Sequence, residues 1–386
     1  PGGLPWRLHQ GRWGQRPPFF GLTLACEVAK GPMASGILDI DLDAITANWR
    51  ALDAMSPPQV QTAVMVKADG YGLGAAPIAR ALMAAGARRF FVALTEEGVS
   101  LRLALGPEAE INILSGHMDG DGARIRSFGL IPMLNSRAQI ERHFRDLSGH
   151  PFGIQLETGM NRLGIDPADW TMLAPSVLAH RPSLLMSHMA CADEPGHPLN
   201  DRQLATFRAM TDGTGFARSF SATGGILLGR QYDFDLTRPG IGLYGGAPFR
   251  DARPVARLSL PVVQVRTLNP GDTVGYNATW RAEAPARIAT LAAGYADGFF
   301  RALSNRATLY HGDTPCPLVG RVSMDLVTVD VSAVGGTPET LDLLCPAQGI
   351  DALAAAAGTI GYEILTALGQ RYARQYISAA TRTEAA

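Results

Sequence analysis

Between Ile37 and about Tyr244 short apolar runs alternate with amphipathic stretches, and this alternation constrains the fold more than any other feature of the chain. The runs TAVMV (62–66), RFFVAL (89–94), INIL (111–114), LIPML (130–134), FGIQLE (152–157), LLMSHM (184–189), ARSFSA (217–222) and PGIGLYG (239–245) read as buried strands. Between them APIARALMAAG, TEEGVSLRLAL, SRAQIERHFRDL and DRQLATFRAM have the spacing of helices. Strands separated by helices are laid down parallel. Eight of them fit a closed (β/α)8 barrel, with an open doubly wound sheet as the other solution.

A chain of 386 residues is too long for that unit alone. Beyond Pro254 long helices nearly vanish. RLSLPVVQVRTLNPGDTVGY, ARIATLAAGY, PCPLVGRVSMDLVTVDVSAV and LDLLCP alternate with turn signals such as NPGD and HGDTP, which predicts a mostly β C-terminal domain over 256–386 after a barrel over 33–255. A late helical stretch, AAAAGTIGYEILTALGQRY, precedes the end. Residues 1–32 are rich in Gly, Pro and Arg without a sustained period, and FFGLTLAC within them resembles the core of a secretion signal. The reading adopted is an upstream extension outside the fold, with the native start at Met33.

A formal net charge of -1 gives no field for steering polyanions, which argues against a nucleic-acid partner. No run of 18 uncharged apolar residues exists, which argues against a helix across a membrane. Cys26, Cys191, Cys316 and Cys345 are scattered and form no CxxC pair, so free thiols in the cytoplasm are expected rather than a disulfide frame or a metal site.

In a parallel barrel the active site lies at the C-terminal strand ends. Lys67, Arg162 in ETGMNRLG, His188 in SHMACADE and Arg238 all fall there, polar groups that a core would not select. The segments SATGG (221–225) and RPGIG (238–242) follow the seventh strand and the Arg238 strand end and offer unobstructed backbone N–H groups, as phosphate loops do. A lysine able to lose its proton, a phosphate pocket and an arginine together point to pyridoxal phosphate, whose aldehyde condenses with a lysine.

The segments IDLDAITANWRAL, AVMVKADGYGLGA, ETGMNRLG, SHMACADE, DLTRPGIGLYG, AGYADGFFR, GRVSMD and GYEILTALGQRY, in this order, resemble the alanine racemases, two-domain pyridoxal-phosphate isomerases with a barrel and a β domain. The resemblance spans essentially residues 37–380. It implies racemisation of L- and D-alanine by two bases, Lys67, which also forms the Schiff base, and Tyr295, supplied by the partner subunit of a homodimer. It implies that His188 neighbours Tyr295 and is linked to Arg238, and that Arg238 faces the pyridine nitrogen. Amine and phenol both have unperturbed pKa values near 10, so each needs neighbours that lower it. Tyr71, Thr223, Gly240, Ile241 and Tyr362 fall at the phosphate positions, Arg162 and the backbone of Met324 at the substrate carboxylate, and Asp193, Arg321 and Asp325 at the entrance; no metal is implied.

The chain departs from the family pattern in places. Ala222-Thr223 stands where many relatives have Asn-Ser, Gln155 where many have a carbamylated lysine supporting the substrate-binding arginine, and Ser323 where a cysteine is frequent. Other readings are a racemase of broader range that also takes serine, since a small pocket rejects one extra hydroxyl only modestly, and a decarboxylase of the same architecture. The decarboxylase would place an acidic residue where Arg238 stands. A non-catalytic cofactor carrier would need no Tyr295. The chain itself does not separate D-alanine supply for peptidoglycan from alanine breakdown.

Overall fold

A computed structural model describes residues 36–379, so the 1–32 extension lies outside the described residues. Val64–Met65, Arg89–Val92, Glu110–Ile113, Ile131–Leu134, Gly153–Gln155, Leu185–Met186 and Arg218–Ser219 pair in parallel, each with the next in sequence. Leu236–Thr237 closes the ring. On one side the N–H groups of Asp235 and Arg238 donate to the carbonyls of Arg218 (3.0 Å) and Ser221 (2.9 Å). On the other, the N–H groups of Gln61 and Ala63 donate to the carbonyls of Asp235 (3.0 Å) and Thr237 (2.9 Å). The eight strands thus form the barrel. Phe90, Phe91, Ile111, Ile113, Ile154 and Leu185 are buried, as strands covered on both faces require.

Local chemistry starts the helices. The Asp41 carboxylate accepts from Ala44 N (2.9 Å) ahead of Leu42–Asp53, Ser136 caps Arg137–Asp146, and Asp166 caps Pro167–Ala179, which opens on proline.

Two placements differ from the sequence reading. The eighth strand is Leu236–Thr237, and 239–245 is instead a loop with the 3₁₀ turn Ile241–Tyr244. Pro239 has no N–H to donate to a ladder, and the N–H groups of Gly240 and Gly242 donate to Thr223 Oγ1 (3.1 and 3.3 Å). The first described strand, Ile37–Asp41, does not enter the barrel. It pairs antiparallel with Ala256–Leu268 and parallel with Ala373–Ile377, in the sheet of the C-terminal half.

That sheet is organised by the long strand Ala256–Leu268, which bulges between Val262 and Gln264 and pairs with Ile37–Asp41, Thr340–Leu344 and Ala286–Leu291. Thr308–His311 and Thr314–Pro317 form the hairpin whose turn lies within HGDTP. The late helical stretch breaks into Ile350–Ala357 and Gly361–Ala367, because Gly358 takes a left-handed cap at φ 73°. One apolar core runs through both halves, from Leu52, Phe90 and Ile113 to Leu258, Leu341 and Leu365. Among the described residues no helix is long and apolar enough to cross a membrane.

Candidate active site

Lys67 begins a turn that ordinary side chains avoid. Ala68, Asp69, Gly70 and Tyr71 have φ of 52°, 52°, 62° and 57°, all left-handed, and each non-glycine residue there costs about 1–2 kcal/mol. The surroundings hold it in place. Glu97 Oε1 accepts from Ala68 N (2.7 Å), Gly70 N donates to Val66 O (2.9 Å), and Asp69 Oδ1 accepts from Ala75 N (2.8 Å) at the start of the next helix. Backbone strain gathered around a single lysine is characteristic of a functional turn.

Two adjoining cavities of about 580 and 820 Å³ meet at Lys67, His188, Arg238, Met65 and Met160. The smaller also takes in Gln155, Glu157 and Arg162. Burial foremost, then the Arg162 cation, lowers the Lys67 ammonium pKa below its ordinary value, while Glu97 opposes this. Burial also drives His188 down to about 3, with Arg238, Arg162 and Lys67 adding to the effect. His188 is therefore a neutral imidazole at working pH. Arg238 is 2 % exposed and meets no carboxylate among the described residues. Burial without a counter-ion, assisted by Arg89, lowers it to about 9, which still leaves it charged near neutral pH.

Arg238 is fixed by uncharged groups. NH2 donates to Ser187 O (2.6 Å) and NH1 to Ser219 Oγ. No hydrogen bond joins it to His188, so the expected link between them is one of charge alone. Gln155, at the position of the carbamylated lysine of many relatives, accepts no hydrogen bond from Arg162; its amide nitrogen donates to Leu156 O (3.3 Å). Three cations thus face the cavities. The Glu157 carboxylate opposes them only in part, since it accepts from Gly159 N and Asn161 N and builds the turn that ends in Arg162. Such a site favours anions.

The larger cavity extends to Tyr71, Ala222, Thr223, Gly240, Ile241, Asp193 and Tyr362. A Cβ on Gly240 would overlap the Tyr71 hydroxyl, so only glycine lets that hydroxyl reach the loop backbone. Tyr71 stacks on Tyr244 at 4.5 Å between centroids, and Tyr362 stands 5.9 Å from Tyr71. Burial raises the pKa of both cavity phenols, Tyr362 to about 12, which leaves them neutral donors. Burial, then Glu194, raises Asp193. Phenolic donors, a hydroxyl and glycine backbone beside cations fit a phosphate-bearing cofactor.

The remaining expected site residues lie elsewhere. Tyr295 and Met324 are 46 % and 54 % exposed and line neither cavity. Their turns are joined by Tyr295 N to Ser323 O and Ala296 N to Met324 O, both 3.0 Å. Asp325 is paired with Arg371 (2.7 Å), and Arg321 precedes the same turn without reaching the cavities. The barrel rim has an exposed side of its own, at Arg162 and Leu163.

Sequence reasoning missed several supports: Glu97 under the Lys67 turn, Ser187 and Ser219 on Arg238, Tyr244 behind Tyr71, and Arg371. Only Glu97 left a local signal, the acidic pair opening a helix in TEEG. Cys191, Cys316 and Cys345 are free, while Cys26 lies outside the described residues. Among the described residues no group of His, Cys, Asp and Glu is placed to hold a metal.

Comparison with known proteins converges on one family. Residues 40–248 match the model of the alanine racemase N-terminal domain, and residues 255–376 match that of the C-terminal domain. An alanine racemase of Dinoroseobacter shibae is 63 % identical over 344 residues, 89 % of this chain and 99 % of the relative. A catabolic alanine racemase of Agrobacterium fabrum is 43 % identical over 89 % of this chain and 92 % of the relative. The crystal structure of alanine racemase from Bartonella henselae with covalently bound pyridoxal phosphate superposes with a TM-score of 0.85 at 36 % identity, covering 89 % of this chain and all of the other. The chain belongs to the alanine racemase family.

Proposed function

We propose that the racemisation of alanine by this chain runs between two bases, Lys67 on one face of the substrate and Tyr295 of a partner subunit on the other. Pyridoxal phosphate is the cofactor of the family, and the cavities fit it. Lys67 would hold it covalently, Tyr71, Thr223, Gly240, Ile241 and Tyr362 would hold its phosphate, and Arg238 would face its ring nitrogen. When bound, the cofactor makes the α-proton of alanine labile by accepting the electrons released there.

The chain's own groups do the rest. Lys67, whose pKa is lowered, takes or returns the proton on its face. Arg162 and the Met324 backbone hold the carboxylate. Arg238 stays charged and does not give up its proton to the ring, which keeps the ring a weak electron store and favours prompt return of the proton to carbon over side reactions. Neutral His188 assists Tyr295 by hydrogen bonding, since it carries no charge. Asp193, Arg321 and Asp325 line the approach.

The observation that carries this reading is the buried, carboxylate-free Arg238 at the junction of the two cavities, beside Lys67 and His188. The dimer is supported by the opposite case: an exposed Tyr295 and Met324 that reach no cavity of their own chain. A division near residue 255, with Ile37–Asp41 returned to the C-terminal sheet, and a cytoplasmic setting consistent with the three free thiols among the described residues, complete the proposal.

The chain has two lysines, Lys30 and Lys67. Borohydride reduction of the holoenzyme followed by peptide mapping should find the cofactor on Lys67, with racemase activity lost in proportion. A label on Lys30 would overturn the assignment.

A further inference from the structure

The turns that carry Tyr295 and Met324 are held together by a residue that belongs to neither. Arg371 donates through Nε and NH2 to the two oxygens of Asp297 (2.5 and 2.7 Å) and through NH1 to Asp325 Oδ1 (2.7 Å). Asp297 closes the Tyr295 turn: its carboxylate is buried and also accepts from Gly294 N (2.9 Å). Asp325 follows Met324 directly. The backbone near Arg371 fits the same turn, because Gly369 N donates to Asp297 O (3.0 Å) and a Cβ on Gly298 would overlap the Ala367 carbonyl. A Cβ on Gly294 would overlap the Met324 carbonyl, so the two turns are in backbone contact.

We propose that Arg371 is a positioning residue: its guanidinium fixes the Tyr295 hydroxyl and the Met324 backbone as one rigid unit presented to the partner's cavity. The inference rests on the reading of Tyr295 as a shared base. An exposed tyrosine has no packing of its own to aim it, so the aim comes from the turn, and the turn is held by a planar fork that serves two carboxylates at once. An ammonium group is a point donor and cannot hold the same three bonds in one plane. Displacing the tyrosine by about 1 Å costs about 100-fold in rate. The acceptor barrel of the same chain, with Lys67 and the phosphate cradle, is untouched.

The test is complementation in mixed dimers of holoenzyme. Arg371→Met alone should racemise alanine about 100-fold more slowly, with the absorbance of the bound cofactor unchanged. Mixed with Lys67→Ala it should regain activity, because one site then combines the intact Lys67 of the Arg371→Met chain with a Tyr295 aimed by an intact Arg371. Mixed with Tyr295→Phe it should regain none. Arg371→Lys keeps a cation beside the buried Asp297; it should fall into the same complementation group with a smaller loss, and it serves if Arg371→Met does not fold. Recovery with Tyr295→Phe, recovery with both partners, or full activity of both Arg371 variants alone would overturn the proposal. The control mixture of Lys67→Ala with Tyr295→Phe judges the shared site separately. If exchanged subunits of that control regain nothing, the shared-site reading falls, and this proposal falls with it.

Discussion

The barrel and the C-terminal turns each carry half of the expected site, and they present it in opposite ways. Lys67, His188 and Arg238 converge on joined cavities, and desolvation dominates their chemistry: one lysine of lowered pKa, one neutral imidazole and one guanidinium without a counter-ion. Tyr295 and Met324 sit in the open on turns whose effort goes into rigidity, through backbone bonds and the Arg371 clamp. Burial tunes the first half. Clamping aims the second. On the proposed reading the two halves meet between two copies of the chain, the cavity of one completed by the exposed Tyr295 turn of the other.

The comparison breaks most sharply at Lys67. Lys67→Ala should lower racemisation by more than about 10⁴-fold, since attachment and one base are lost together. Assays at saturating cofactor check this; residual activity within tenfold of the original would remove Lys67 from the chemistry. Arg238→Glu should follow, with a loss of about 10²–10³-fold and a rising share of turnovers that end in pyruvate, because a carboxyl group can lend the ring nitrogen a proton that arginine withholds. Parallel assays for D-alanine and pyruvate read both effects. Unchanged racemisation in a folded, cofactor-loaded variant would make Arg238 structural.

Tyr295→Phe should lower activity about 10²–10⁴-fold while melting within a degree or two of the original, because an exposed hydroxyl contributes little to the fold. Calorimetry beside kinetics separates the two halves here. An equal change at a buried barrel residue would disturb both readings.

The smallest effect concerns acid stability away from the site. His143 is buried and lowered to about 4, chiefly by burial, whereas an unfolded histidine titrates near 6.5. Below pH 6.5 the unfolded chain binds a proton that the folded chain refuses, so stability falls as pH drops toward 4. His188, lowered to about 3, acts in the same direction. His143→Gln, which can still donate to His150 O, should flatten this decline by at most about 1.4 kcal/mol per pH unit. Denaturant melts at pH 5 and 7.5 measure it, and racemisation at pH 8 should not change.

The barrel was legible because its strands are continuous apolar runs at regular intervals, and so were the strand-end residues Lys67, His188 and Arg238. The eighth strand was misplaced because PGIGLYG is apolar, while the true strand is two residues of DLT with no periodicity to read. Ile37–Asp41 could not be assigned to the distant sheet, since its register is with Ala256–Ser259 and Ala373–Ile377. Contacts at long separation escaped in the same way. Nothing local says that Glu97 holds the turn after Lys67, that Arg238 is fixed by Ser187 and Ser219, or that Arg371 reaches Asp297 and Asp325.

The central claim is that a working site needs two chains, and subunit mixing tests it most directly. Lys67→Ala and Tyr295→Phe proteins, each inactive, are mixed under conditions where tagged subunits are seen to exchange. Half of the dimers are then hybrids with one of two sites intact, so activity should rise to about a quarter of the original. Demonstrated exchange with activity no higher than that of the separate proteins would contradict the account and return Tyr295 to its own chain.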